Sequence, residues 1–179
     1  MNTPIAPKRF FRGCAFVLAV LVTGVAVADS SADFVDEASA AGIAEIETSR
    51  LAIGKTSSTD IESYAVEMIK DHTDANRDLK DIAQKLGLTV ATQEAILSKA
   101  KKMMLDVQEG DSFDAAYAAN QVTVHEQAIV LFKEQADQSK SPELKAFAEK
   151  YLPKLEMHLE MAKKLVSAHH KGDEGVLLQ

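Results

Sequence analysis

Apolar residues in the middle of the chain recur every three or four positions, which places their side chains on one face of an α-helix. The clearest example lies between residues 59 and 87. Its inward positions are Ile61, Ala65, Met68, His72, Ala75, Leu79, Ile82 and Leu86. No stretch of useful length alternates between apolar and polar residues, as a half-buried strand would. The pattern therefore predicts an all-α protein built from long amphipathic helices.

Capping signals divide the chain into five predicted helices. Their approximate ranges are 30–54, 59–87, 92–109, 111–138 and 141–172. The pair Thr59 and Glu62 matches the capping box, in which a hydroxyl and a carboxylate satisfy free backbone N–H groups at a helix start. Ser141 followed by Pro142 predicts a cap with proline at the first helical position. Glycine at 54, 87 and 110 predicts where the first three helices end.

The connections between these helices predict how they are arranged. Short turns join the first helix to the second and the fourth to the fifth, so each pair is expected to form an antiparallel hairpin. Residues 88–110, which include the short third helix, are long enough to cross a bundle of roughly 35 Å at 1.5 Å per helical residue. The sequence therefore predicts a ferritin-like four-helix bundle over residues 29–172, followed by a disordered tail at 173–179.

The N-terminal segment has a different character from the helical remainder. Basic residues and no acidic ones precede an apolar run at 15–22, and small residues follow at Ala26-Val27-Ala28. This is the pattern of a secretory signal peptide cleaved before Asp29. We therefore predict that residues 1–28 are a signal peptide and that the mature chain has no integral membrane span. The expected location is the periplasm or cell envelope of a Gram-negative-type bacterium, and an uncleaved N-terminal anchor is the alternative.

Charge and cysteine content narrow the classes of partner. The chain has 20 Lys and Arg against 27 Asp and Glu, a formal net charge of −7. Loss of the three leader bases leaves 17 basic residues and a net charge of −10, which disfavours nucleic acid and anionic membrane surfaces as partners. Cys14, the only cysteine, lies in the leader. The mature chain therefore has neither a disulfide nor a lipid-bearing cysteine.

Each long helix turns one ionisable side chain toward the predicted core. A rotation of about 100° per residue places these side chains among apolar neighbours on the helix surface. They are Glu45, His72, His125 and His158. Counting from the two hairpin turns places them within roughly 10 Å of one another along the bundle. Three neutral imidazoles and a carboxylate form a suitable ligand set for one transition-metal ion such as Zn, Fe or Cu.

Three neighbouring residues bear on this possible metal site. Met68 and Met161 lie on the same inward faces and would favour Cu(I) as additional ligands. Asp71 lies at the edge of its face, where its carboxylate could accept a hydrogen bond from a ligating imidazole. The alternative is that the buried His and Glu side chains hydrogen-bond with one another and with polar neighbours, fixing the register of the helices.

Several short motifs resemble those of one bacterial family. They are Phe34-Val35-x-x-Ala38, Glu45-Ile46-Glu47 with Leu51-Ala52, Met68-Ile69-x-Asp71-His72-Thr73-x-x-Asn76-x-x-Leu79, Phe113-Asp114-x-x-Tyr117, His125-x-x-Ala128-x-x-Leu131-Phe132, and Phe147-Ala148 with Leu152-Pro153-x-Leu155-x-x-His158. Together they resemble domain of unknown function 4142, a family of exported bacterial proteins often labelled outer-membrane or secreted proteins. The resemblance implies a ferritin-like bundle in the cell envelope and brings no established activity.

Comparison with di-iron ferritin-like proteins limits the chemistry that the resemblance implies. Those proteins carry Glu-x-x-His on two helices, whereas here Ile69 stands three residues before His72 and Leu155 three residues before His158. A carboxylate-bridged di-iron centre is therefore not expected, and a mononuclear site remains open. The chain also has no Gly-rich phosphate loop, no G-x-S-x-G motif and no cysteine after the leader, so no catalytic residue is assigned.

Three functions remain open on the sequence. The first is a non-enzymatic periplasmic bundle with a binding or stress-related role that uses the inward His and Glu residues to hold a metal. The second is a metal-dependent redox enzyme of ferritin-like descent. The third is a structural or interaction module whose buried His and Glu form a hydrogen-bonded core.

Overall fold

Four long helices make up the described part of the computed structural model, which covers residues 25–92 and 111–169, with side chains at 31–92 and 113–169. α1 spans Val25–Lys55, α2 Thr59–Leu86, α3 Asp111–Gln138 and α4 Pro142–His169. No strand occurs within these ranges, so the predicted all-α four-helix bundle is confirmed. Most of the predicted leader, almost all of the short third helix and the whole predicted tail lie outside the described residues.

The first helix begins earlier than predicted. α1 starts at Val25, although the cap signal predicted a start near residue 30. The residues between these positions include no glycine or proline that would stop a helix. α1 therefore runs through the predicted cleavage position at Asp29. It ends at Lys55, close to the predicted end at Gly54.

The start of α2 corrects one prediction. Ser58, with extended backbone at φ −91° and ψ 124°, is the N-cap residue, and no side chain makes a capping hydrogen bond there. The predicted capping box between Thr59 and Glu62 is therefore wrong, because Thr59 is already the first helical residue. A nearby carboxylate replaces part of that function, since Asp60 accepts the backbone N–H of Ile61 at 2.8 Å.

Two other predicted helix ends are confirmed. Gly87 ends α2 in the left-handed region at φ 68°, a conformation that glycine adopts without steric strain. The N–H of Leu88 then donates to the carbonyl of Ala83 at 2.8 Å. At the start of α4, the hydroxyl of Ser141 accepts the N–H of Leu144 at 3.3 Å, as expected for a cap that precedes a proline.

The helices form two hairpins that pack side by side. α1 packs mainly on α2 and α3 mainly on α4, while contacts of α2 with α4 and of α1 with α3 close the bundle. None of the described helices has the length and apolar character needed to cross a membrane.

Two apolar clusters show which helix ends lie together. We call them cluster A and cluster B. Cluster A contains Phe34, Val35, Ala38, Leu79, Ala83, Ile129, Phe132, Ala136, Leu144, Phe147, Ala148, Tyr151 and Leu155. Cluster B contains Ala52, Ile61, Tyr64, Ala65, Met68, Phe113, Tyr117, Ala118, Ala162 and Leu165. The starts of α2 and α3 both lie in cluster B, and their ends both lie in cluster A. The chain between Leu86 and Asp111 must therefore return along the length of the bundle, which is the ferritin-like connection.

A layer of buried polar side chains separates the two apolar clusters. On every helix these residues lie between the positions that belong to cluster A and those that belong to cluster B. We call this set the polar layer: Glu45, Thr48, Ser49, Asp71, His72, Gln121, His125 and His158. Buried polar groups lose their contact with water and need partners inside the protein. The polar layer is therefore the part of the fold whose partners require explanation.

Candidate metal centre

Three helices bring one histidine each to the middle of the bundle. His72 comes from α2, His125 from α3 and His158 from α4, with 9%, 1% and 1% of their surfaces exposed. The ring centroids of His125 and His158 are 5.4 Å apart, and each lies 5.8 Å from that of His72. One nitrogen of each ring lies within 4.8 Å of one nitrogen of each of the other two. The structure thus brings together three of the four residues of the predicted metal site.

The surroundings of His125 define which of its nitrogens carries the proton. Nδ1 lies 2.9 Å from the backbone carbonyl oxygen of Gln121. Because a carbonyl oxygen only accepts, Nδ1 donates, and in the neutral ring Nε2 holds a lone pair. Burial lowers the pKa of His125 to about 4, so the ring is neutral at pH 7. Nε2 is buried and has no hydrogen-bond partner.

His158 is oriented in the same way by a carboxylate. Its Nε2 lies 3.3 Å from Oδ2 of Asp71. Burial would raise the pKa of Asp71, but hydrogen bonds and charges from Lys154 and Lys70 outweigh burial and lower that pKa to about 2. The ionised carboxylate only accepts, so Nε2 of His158 carries the proton and Nδ1 holds the lone pair. Nδ1 is likewise buried without a partner.

His72 completes the set of unpaired nitrogens. Its Nε2 is buried and has no hydrogen-bond partner. Burial, with smaller contributions from His125 and His158, lowers the pKa of His72 to about 3. Each of the three rings is therefore neutral at pH 7 and has one buried nitrogen without a partner. Such groups are destabilising unless another group pairs with them.

This donor set fits one transition-metal ion. Zinc binds neutral imidazole nitrogens at about 2.0–2.1 Å, which places the nitrogens of one tetrahedral site roughly 3.4 Å apart. One nitrogen of each ring lies within 4.8 Å of the others, so the rings must move closer together to reach that distance. Ligating histidines usually donate their other N–H to a carbonyl or carboxylate, as His125 and His158 do here.

Glu45, the fourth predicted ligand, lies outside the group of three histidines but beside it. Its side chain is 6% exposed, and its Oε2 has no hydrogen-bond partner. Burial raises the pKa of Glu45 to about 7, although the Gln121 side chain opposes part of the shift. Glu45 lines a groove of about 240 Å³ between α1 and α3, together with His72 and His125. Its carboxylate therefore shares one groove with two of the three imidazoles.

The other predicted site residues have distinct surroundings. Met68 is fully buried in cluster B, and Met161 packs against that cluster from its edge. Asp71 accepts from His158, but it also pairs with Lys154 at 2.7 Å and with Lys70 at 3.2 Å. A second group of possible ligands joins Asp71 and His158 to Glu67. The two lysines already neutralise Asp71, which makes that second group the less suitable one for a cation.

Sequence reasoning missed two residues that hydrogen-bond with side chains of the polar layer. Tyr64 donates its hydroxyl hydrogen to Oε1 of Gln121 at 3.0 Å. Lys154 holds Asp71 in its ionised form, which in turn orients His158. The spacing along each helix could have indicated both residues. Lys154 lies four residues before His158, and Tyr64 lies eight residues before His72. Side-chain partners across helices were not visible in that spacing.

Comparison with known proteins identifies a family for this chain but assigns no activity. A family model described as "Domain of unknown function (DUF4142)" matches residues 22–165, which include all four helices apart from the last residues of α4. No curated protein and no solved structure matches the chain. The family match and α1 both begin before Asp29, so neither marks the predicted cleavage position. This chain is a member of the DUF4142 family.

Proposed function

We propose that this protein is an exported, non-enzymatic binding bundle of the cell envelope that holds one Zn, Fe or Cu ion through His72, His125 and His158. The observation that carries this proposal is the convergence of three neutral, buried imidazoles, each with one unpaired nitrogen. Buried ring nitrogens need a hydrogen-bond partner or a cation, and no described group lies within hydrogen-bond distance of these three. Export is supported by the leader pattern at residues 1–28.

Glu45 has a supporting part in this proposal. Three neutral imidazoles leave the full charge of a divalent ion uncompensated. A carboxylate beside the site supplies one negative charge, and the ion in turn favours its ionised form, opposing the burial that raises the pKa of Glu45. Glu45 reaches the ion either directly, by a change of rotamer, or through a bound water.

A purely structural role for the histidines fits the geometry less well. A hydrogen-bonded core would pair the imidazoles with one another or with polar neighbours. His125 and His158 each use one nitrogen in this way, yet their second nitrogens and Nε2 of His72 have no partner. A layer built only to fix helix register would leave three buried ring nitrogens without a partner, which is destabilising.

Metal analysis of protein purified from the periplasm tests the proposal. We expect a chain that begins at Asp29 and, after chelation and reloading, binds close to one Zn²⁺ per chain. His125→Ala should lose this binding, because only two imidazoles remain. His169→Ala is the matched control, since His169 lies at the exposed end of α4 and pairs with Asp60 at 3.0 Å. Equal Zn²⁺ binding by wild type and His125→Ala would refute the site.

A further inference from the structure

Histidines of the candidate site line two separate spaces in the bundle. One is the groove of about 240 Å³ between α1 and α3, which His72 and His125 line. The other is a cavity of about 30 Å³ that His72, His158, Asp71 and Lys154 line. The first has room for a hydrated ion, whereas the second has room for little more than one or two water molecules. The groove is therefore much larger than the cavity.

The groove between α1 and α3 carries negative charge and unpaired acceptors. Its walls are mostly small or apolar, formed by Ala41, Ala44, Val124, Ala128 and Leu131. Glu37 is exposed and Glu45 is buried, so one acid lies at the outside of the groove and one at its inner end. None of the described residues that line the groove is basic. At its inner end, Glu45, His72 and His125 each have a buried atom without a hydrogen-bond partner.

On the opposite side of the bundle, one basic and one acidic side chain, Lys154 and Asp71, line the smaller cavity. Lys154 and Lys70 both pair with Asp71, and their side chains are 44% and 71% exposed. Lys154 and Asp71 pair at 2.7 Å, so the charged residues that line this cavity have no net charge to attract a divalent cation. The groove between α1 and α3 is lined by two acids and no basic residue, so it attracts a cation more strongly. The charge asymmetry therefore favours approach through the groove.

We infer that the groove between α1 and α3 is the route by which a divalent metal ion reaches the three histidines. Glu37 attracts the hydrated ion at the mouth, and Glu45 receives it at the inner end, beside His72 and His125. This inference rests on the proposed function, because it presupposes that the histidines bind the ion. It adds which face of the protein the ion crosses and which residues control its rate of binding.

Stopped-flow mixing of the metal-free protein with Co²⁺ tests this route. Glu37→Gln removes the charge at the mouth, so we expect association to slow by about threefold or more at low ionic strength, with a smaller effect in high salt. Ala44→Leu narrows the groove without touching the smaller cavity and should slow association and dissociation by the same factor, leaving the Kd unchanged. Glu149→Gln is the control, because it removes the same charge from an exposed position on α4.

The possible outcomes separate the route from the site. If wild-type protein binds no Co²⁺, the proposed function and the route are both wrong. If wild type binds one Co²⁺ per chain but Glu37→Gln and Ala44→Leu associate at the wild-type rate, only the route is wrong. Equal slowing by Glu37→Gln and Glu149→Gln would likewise overturn it, because net charge rather than the groove would then set the rate.

Discussion

Replacement of His72 by leucine should abolish metal binding and at the same time stabilise the metal-free protein. Loss of one of three imidazoles lowers affinity by on the order of 100-fold or more, since two nitrogens remain. In the metal-free state, leucine of similar volume removes a buried polar nitrogen without a partner, so we expect a gain of about 1–2 kcal/mol in the free energy of unfolding. No hydrogen-bonded partner is orphaned, because Nε2 of His72 has none.

Urea denaturation with and without Zn²⁺ measures both effects. Wild-type protein should gain about 2.7 kcal/mol when free Zn²⁺ is 100 times its Kd, and His72→Leu should gain about 0.4 kcal/mol or less at the same Zn²⁺ concentration. His169→Leu serves as the control and should keep the full response to zinc. A structural role for His72 requires the opposite result, in which His72→Leu destabilises the metal-free protein and zinc has no effect on wild type.

Acidification should destabilise the metal-free bundle strongly. His72 and His125 have folded-state pKa values of about 3 and 4, against 6.5 in the unfolded chain. The unfolded state therefore binds protons that the folded state does not, and stability present above pH 6.5 is lost as the pH falls. Each such histidine contributes about 1.4 kcal/mol per pH unit until its folded-state pKa is reached. Burial also lowers the pKa of His158, which acts in the same direction.

Glu45 acts in the opposite direction over part of this range. Its pKa is about 7 in the folded state and 4.5 in the unfolded chain, so between these values the folded state holds the extra proton. Stability from this group is present below pH 4.5 and is lost as the pH rises through 7. His72 and His125 together outweigh Glu45, so a net loss of roughly 2 kcal/mol is expected from pH 6.5 to 4.5, and His158 adds to that loss.

Urea denaturation of two variants at several pH values, with a chelator present, separates the contributions of His72 and Glu45. His72→Leu should flatten the loss on acidification by about 1.4 kcal/mol per pH unit, and Glu45→Gln should steepen it by a similar amount. A wild-type stability that stays level or rises between pH 6.5 and 4.5 would show that the imidazoles are not held neutral by burial.

Much of the fold could be predicted because the relevant signals are local. The 3.6-residue periodicity, the glycine at position 87 and the Ser141-Pro142 cap each act within one helix or its ends. The N-cap of α2 was predicted at Thr59 but lies at Ser58, because both residues are good caps and only the backbone conformation distinguishes them. The start of α1 was placed several residues late, because a cap signal inside a helix-compatible stretch does not end the helix.

The inward direction of the histidines was also predictable, since each lies on the apolar face of its own helix. Counting from the hairpin turns was a weaker argument, because the two turns lie at opposite ends of the bundle. It succeeded only because His72, His125 and His158 all lie near the middle of helices that are each 28 residues long.

The partners across helices could not be predicted from periodicity. The bond between Asp71 and His158 joins residues 87 positions apart, and the pair of Asp71 with Lys154 depends on how α2 faces α4. Helix rotation shows that a side chain points inward but leaves open which helix it meets and at what height. For that reason Glu45 was grouped with the three histidines, although it lies in the groove beside them.

Zinc K-edge X-ray absorption of the zinc-loaded protein tests most directly whether three imidazoles share one metal ion. We predict three imidazole nitrogens at about 2.0–2.1 Å, one oxygen from Glu45 or water, and no sulfur from Met68 or Met161. The same spectrum from His169→Ala should be unchanged. A zinc ion with fewer than three imidazole ligands, or with sulfur in its coordination sphere, would contradict the proposed site.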